Sequence, residues 1–264
     1  SDQTSDVLKA LYLGEGSSAL LAGDASGQEC FNTLLNQATD PITIATLHHQ
    51  RCRIFIARND RSGAVDSGLL GLSALGIPIS TRQPSTLRSI LTILDCQRRV
   101  LSRSVDEILD LPMIRQERDL LIMQLLTDTI GAAAFTEPKL AAQLVCIQMD
   151  HVLNAGHSIY SAMPFLYLGL ASNTVAAFST LTLHAKQSVN QLLSLYRKID
   201  NKFSDGAQHL RGELFHQIFT GHLSNQFRNK SMLSSSSFEK FIEQGENALA
   251  SYCKLASLDQ SFSF

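Results

Sequence analysis

The 264-residue sequence contains no tryptophan, only six prolines and only five cysteines. Charged side chains make up 17% of it, against an ordinary share of about 25%. Each shortage excludes something. Cys30, Cys52, Cys96, Cys146 and Cys253 are widely spaced, odd in number and without a Cys-x-x-Cys pair. That is no disulfide framework, and it points to a reducing compartment, taken here as the cytoplasm. Lys plus Arg total 22 and Asp plus Glu total 24, so the formal charge is −2. No positive excess exists for nucleic acid to recognise across the surface. A chain that is 44% hydrophobic with so little net charge is not intrinsically disordered. Long apolar runs are missing too. The most apolar stretch, Leu120 to Phe135, is broken by Gln124, Thr127, Asp128 and Thr129, so a buried helix and no membrane span is expected. The first residue is not Met and the sequence stops abruptly at Ser-Phe-Ser-Phe, as expected of a piece of a longer chain.

What is present is helical periodicity. Leu87, Ile90, Leu91, Leu94 and Leu101 recur at three- and four-residue steps, as do Val189, Leu192, Leu193 and Tyr196. Leu214, Phe215, Ile218, Phe219 and Leu223 repeat the pattern, and so do Phe238, Phe241, Ile242, Leu249 and Tyr252. Each set predicts one apolar stripe turned toward a core. Two-residue alternation is scarce, so essentially no sheet is expected.

Punctuation divides the pattern into short helices. Asp40-Pro41 reads as an N-cap followed by Pro at the first helical position. Ser104 and Glu107 have capping-box spacing, as do Ser236 and Glu239. Gly23-Asp24, Asn59-Asp60 and Gly76-Ile77-Pro78 read as turns. Helices are predicted near 4–22, 26–38, 42–58, 62–75, 85–102, 104–110, 116–134, 138–154, 160–177, 180–199, 209–227 and 238–256.

The turns at Gly23 and Asn59 are 36 positions apart. A helix–turn–helix unit of about 34 residues is the tetratricopeptide period. Ala64, Gly68 and Gly71 keep one face of the second unit small, whereas the first unit has Gln28 near the expected small position. The predicted fold class is therefore all-α, a tetratricopeptide-like right-handed superhelix of about six helical hairpins. Residues 1–76 form two degenerate pairs and 77–230 continue the solenoid. Residues 231–237 are a Ser-rich loop, and 238–264 hold a last helix and the truncated start of a further repeat.

Several motifs have spacings that chemistry could use. Gly14-Glu15-Gly16-Ser17-Ser18-Ala19 fits the dinucleotide spacing, yet no parallel strands follow and no acidic residue stands about 20 positions on. Two glycines in a closely packed helix explain it better. Gly156-His157-Ser158-Ile159-Tyr160 has Tyr where a hydrolase elbow needs a small residue, and Ser158 reads instead as a helix cap. The eight His residues lack the i, i+4 spacing of a zinc helix. No catalytic, cofactor-binding or metal-binding set is expected. Arg51, Arg53, Arg58 and Arg61, with Arg98, Arg99 and Arg103, form two basic clusters, read as a solvated face or as one docking patch. Cys96 lies beside the second cluster and is the candidate redox thiol, with a buried inert thiol the favoured account.

Four phrases go further. Ala64-Val65, Gly68 and Leu72 lead into Leu75-Gly76-Ile77, and then Arg103-Ser104-Val105-Asp106-Glu107-Ile108-Leu109-Asp110-Leu111-Pro112-Met113 follows. After these come Ala134-Phe135-Thr136-Glu137-Pro138-Lys139-Leu140 and Asn154-Ala155-Gly156-His157-Ser158-Ile159-Tyr160-Ser161-Ala162. In this order the phrases resemble the central tetratricopeptide-like region of large multidomain hybrid sensor histidine kinases of fungi and bacteria. His157 departs from that pattern, which has Asn there. The resemblance implies a parent chain with kinase-like and ATPase domains before this segment, and sensor and histidine-kinase domains after it. It implies a scaffold in peroxide or other stress signalling. Partners would be phosphorelay or MAP-kinase-cascade proteins, or other domains of the same chain. The phosphoacceptor His and receiver Asp would lie outside this segment. Two alternatives stand: a ligand- or partner-sensing repeat region of an ATPase-type transcriptional regulator, and a small-molecule-binding enzyme.

Overall fold

A computed structural model of the chain describes residues 13–79, 81–177, 182–220 and 239. The described residues are helical, and their only bridge between extended backbones pairs Met113 with His157. Residues 13–22 form α1. There follow α2 (Ala25–Gln37), α3 (Pro41–Ala57), α4 (Arg61–Ala74), α5 (Thr86–Leu101) and α6 (Val105–Leu109). The last five are α7 (Glu117–Thr136), α8 (Pro138–Ala155), α9 (Ala162–Ala177), α10 (Thr182–Phe203) and α11 (Gly206–Thr220). The helix expected over 238–256, with the Ser236 cap and the Ser-rich loop, lies outside the described residues.

The predicted turns occur for the predicted reasons. Gly23, Asn59 and Gly76 have φ of 86°, 59° and 75° and end α1, α3 and α4 in the left-handed region. At each, two amides reach back to the helix. Asp24 N donates to Ala19 O (2.9 Å), Asp60 N to Phe55 O (2.8 Å) and Ile77 N to Leu72 O (2.9 Å). This closure satisfies carbonyls that a helix end leaves open. Asp40 caps α3 through the Thr43 amide, with Pro41 first in the helix. Ser104 and Glu107 complete the capping box of α6.

The chain divides into two compact units, and neither is contiguous in sequence. The first takes the described residues up to Pro84 together with Arg115–Ala141. The second takes Ser85–Ile114 and the described residues from Ala142 onward.

In the first unit α1 packs on α2, α2 on α3, α3 on α4, and α7 on α3 and α4. Leu20, Phe31, Leu34 and Leu47 form its apolar centre between α1, α2 and α3. Small residues set the close crossings. A Cβ on Gly16 would meet the Cys30 side chain, and one on Gly27 would meet the Leu20 backbone. Gly16 thus packs as expected of a helical glycine, and the small position of this pair is Gly27, one residue before Gln28. Gly14 has open space around it. Gly68 faces Thr129 and Gly71 faces Leu125, so α4 lies against α7 nearly backbone to side chain. His49 Nε2 and Asp128 Oδ2 meet at 2.9 Å between α3 and α7. Arg82 Nε donates to Glu137 (2.7 Å), and its guanidinium also pairs with Asp66.

In the second unit α9 packs on α5, α10 and α11, while α10 also meets α5 and α6. The centre holds Phe165, Leu166, Leu168, Leu192, Tyr196 and Ile199. The turn before α9 differs from expectation. The helix starts at Ala162, and it is the Ser161 Oγ that accepts from a turn amide, that of Ser158 (2.8 Å). Ser158 Oγ accepts from Tyr160 N (3.2 Å) within the turn, so it is not the cap. Ser158 lies too far from the first helical residue to reach its free amides.

The two phrases around Pro112 and Gly156 meet in this unit. His157 N donates to Pro112 O and Ile114 N donates to His157 O, each at 2.7 Å. Gly156 has φ 110° there, and a Cβ would fall well inside 3.0 Å of the Pro112 carbonyl oxygen. His157 is fully buried, stacks on Phe203 at 4.1 Å and places Nε2 2.7 Å from Ile108 O.

Among the described residues no helix is long and apolar enough to cross a membrane. None of their His, Cys, Asp and Glu side chains gather in threes as a metal would require.

Candidate functional site

Helix α5 (Thr86–Leu101) is capped by Ser85, whose Oγ accepts from the Arg88 amide. Its apolar residues form two stripes. Ile93, Cys96 and Val100 are buried. Leu87, Leu91 and Leu94 are 68%, 57% and 45% exposed. At about 100° per residue the two stripes lie on nearly opposite sides of the helix. The leucine periodicity predicted a core-facing stripe, and the structure corrects this. The neighbours α8, α9 and α10 seat the shorter Ile–Cys–Val side instead. Three large leucines at i, i+4 and i+7 on one open face form a contiguous apolar patch, and such patches mark interaction surfaces. Asp95 borders it, with Oδ1 3.1 Å from Arg98 Nη2 and Oδ2 3.0 Å from Arg99 Nε. The hydrogen bond from Arg98 holds the Asp95 carboxyl below its ordinary range, with both cations adding to the effect.

The seven arginines read from the sequence fall into both units, and most have intramolecular roles. In the first unit Arg51 lies over the Phe55 ring at 6.0 Å and Arg61 over the Phe135 ring at 4.6 Å. Arg58 Nη1 donates to Leu20 O (3.0 Å), capping the end of α1, and Arg53 is exposed. In the second unit Arg98 pairs with Asp95, and Arg99 with Asp95 and Asp150. Arg103 Nη1 donates to Leu153 O (3.2 Å) in the last turn of α8. Arg118 on Leu75 O (2.5 Å) and Lys202 on Leu109 O (2.8 Å) do the same for α4 and α6. Cations at helix C-termini satisfy open carbonyls and oppose the negative end of the dipole.

Cys96 is fully buried on the inner side of α5. Its hydrogen bond with the Cys146 thiol, followed by burial, pushes its pKa far up, and Asp150 adds to this. Arg99 acts in the other direction but is the weakest influence. Cys146 Sγ in turn lies 3.7 Å from Thr92 O. The arginine beside Cys96 in sequence is therefore engaged with carboxylates, and the thiol sits in an environment that disfavours thiolate.

The first unit also holds a cavity of about 310 Å³. Leu34, Ala38, Ile42 and Leu47 supply apolar wall, with Thr43 and Gln50 among the polar lining. Gln50 Oε1 is buried there without a hydrogen-bond partner. Residues 13–22, which carry the Gly14–Ala19 spacing, are helical throughout, so no strand-to-helix phosphate turn exists at that motif.

Two buried imidazoles, His48 and His157, and the half-buried His216 are pushed toward the neutral form. Burial, with Arg51 nearby, pushes His48 down to about 4. Burial also lowers His157 and His216, with Lys202 and Arg197 respectively adding to it. In the unfolded chain these groups take a proton near pH 6.5. Their stabilisation is thus complete above that pH and is lost as pH falls below it, for His48 down to about 4. His48 alone should cost about 1–2 kcal/mol at pH 5. Melting curves at pH 7.5 and 5.0 should show a marked drop for the wild type and a smaller one for His48→Gln. Equal drops in both would contradict the assignment.

Comparison with protein-family models, with curated proteins and with solved structures found no match for this chain in any of the three.

Proposed function

We propose that this segment is a non-catalytic protein-interaction region. One observation carries the reading: the leucine face of α5, contiguous and exposed on a helix whose opposite side is core. The helical hairpins α1–α2 and α3–α4 support a tetratricopeptide-like superhelix, since such hairpins stack to build binding surfaces. The four phrases that resemble hybrid sensor histidine kinases support placing it in the cytoplasmic centre of such a kinase, where it assembles or couples a stress-responsive phosphorelay. Binding at the segment would change its curvature and so bias the kinase.

The test uses the full parent chain carrying Leu91→Glu with Leu94→Glu. Partner recruitment and peroxide-dependent phosphotransfer are measured beside the wild type. Loss of recruitment by tenfold or more, with helicity by circular dichroism unchanged, is the expected result. Unchanged recruitment and unchanged phosphotransfer would remove the proposal. The second reading, a ligand-sensing repeat region of an ATPase-type regulator, draws on the 310 Å³ cavity and its unpaired Gln50 oxygen.

A further inference from the structure

The cavity of the first unit, at about 310 Å³, has the size of a small-molecule pocket, and its polar lining is mostly of one kind. Every described residue that lines it belongs to that unit, and none is Lys, Arg or His. Thr46 Oγ1 donates its one proton to Ile42 O (2.8 Å), and Thr43 Oγ1 donates its own to Asp40 Oδ2 (3.0 Å). Both hydroxyls therefore have only lone pairs left to offer. Gln50 Oε1 and the Glu117 carboxylate in the lining are acceptors as well. The Gln50 oxygen is buried without a partner, which costs stability that a donating ligand would restore. Such a lining favours a ligand that brings donors and disfavours an anion.

The fold puts two of these acceptors at opposite ends. Helices α3 and α4 form a hairpin, and α4 runs antiparallel to α7, since Gly68 meets Thr129 and Gly71 meets Leu125. It follows that α7 is parallel to α3. His49 faces Asp128, so Glu117, eleven residues earlier, stands toward the end of α3 that Asp40 caps. Gln50 lies on the third turn of α3. Glu117 is exposed and Gln50 Oε1 is shut off from solvent. The carboxylate thus marks the mouth and the amide oxygen the inner end. An ammonium at the mouth stays partly hydrated and avoids the cost of burying a charge. We infer that this cavity binds a small amphipathic amine, with its ammonium at Glu117, its apolar body along the aliphatic wall and a hydroxyl donating to Gln50 Oε1. Since a cavity of roughly 150 Å³ holds benzene, this one suits a ligand of about 10–14 non-hydrogen atoms. The inference rests on the ligand-sensing reading above and deepens it by naming the ligand's chemistry.

Calorimetric titration of the 264-residue chain with tyramine, phenethylamine and 4-ethylphenol tests this. The second probe lacks the hydroxyl and the third lacks the ammonium. Tyramine should bind with a dissociation constant of roughly 10–100 µM. Phenethylamine should bind about fivefold more weakly, and 4-ethylphenol about threefold, because an exposed ion pair contributes little. Gln50→Leu should bring tyramine down to the level of phenethylamine and leave phenethylamine unchanged. The same variant should keep or raise the melting temperature of the free protein, since it removes an unpaired buried oxygen. Glu117→Gln should weaken both amines and leave 4-ethylphenol unchanged. Tyramine binding that neither variant alters would overturn the inference by placing the amine elsewhere. Equal affinities for the three probes would overturn the amine assignment and leave the cavity a ligand site. No binding of any probe at about 2 mM would overturn the inference and remove the cavity as support for the ligand-sensing reading.

Discussion

Replacing Gly156 by Ala should lower the melting temperature by about 10 °C. Two independent costs act at one atom. The backbone of Gly156 has φ 110°, a region costing an L-residue about 1–3 kcal/mol. The new methyl would also lie well inside 3.0 Å of the Pro112 carbonyl oxygen, which is backbone and has no rotamer through which to move away. Relief means separating the two segments, and that breaks the 2.7 Å bonds joining His157 to Pro112 and Ile114. With overpacking at about 1–3 kcal/mol, the total is about 4 kcal/mol, and each kcal/mol moves the midpoint of a chain this size by about 2–4 °C. Hydrogen exchange should report where the damage lies, with the His157 and Ile114 amides losing protection first. Gly14→Ala is the control. Gly14 is helical with nothing within 4 Å of its added Cβ, so the same chemical change there should be neutral or stabilising by up to about 1 kcal/mol. A shift below 3 °C for Gly156→Ala would contradict the geometry.

Gly68→Ala should destabilise the first unit by about 2 kcal/mol, although Ala is the better helix former by about 1 kcal/mol. Its Cβ would lie well inside 3.0 Å of Thr129 Oγ1 and within 3.0 Å of the Thr129 methyl and Cβ. Thr129 cannot readily swing away, because its hydroxyl donates to Leu125 O at 2.6 Å and it is fully buried. The helices must part, so the core between α4 and α7 loosens. Chemical denaturation of Gly68→Ala, Thr129→Ala and the double variant forms a cycle. A coupling of at least about 1 kcal/mol, with the double variant recovering part of the loss, is expected. Strict additivity would show that the two residues do not meet.

Hydrophobic periodicity and helix punctuation were legible throughout the described residues. Asp40-Pro41, Ser104 with Glu107, and the turns at Gly23, Asn59 and Gly76 each act through a hydrogen bond made within six residues. Such chemistry depends on neighbours in the chain, so it can be read without a fold. The leucine face was half legible. Its spacing was plain, but which of the two stripes on α5 turns inward depends on what α8, α9 and α10 offer. The Pro112–Gly156 junction was visible as two separate phrases, and the requirement for glycine there comes from a carbonyl 44 positions away. His157 carried no chemical signature in sequence, since its burial against Phe203 is made by a helix that begins 25 residues later.

The amino-acid order by itself determined that this chain is helical, where most helices begin and end, and which glycines stop them. These are short-range matters of capping, period and left-handed backbone. Tertiary structure alone decided that α7 joins the first four helices, that Arg58, Arg103 and Arg118 serve as helix caps, and that Leu87, Leu91 and Leu94 face outward. A helix with apolar residues on two sides has no internal preference between them, and the larger side is buried only if a neighbour is there to receive it.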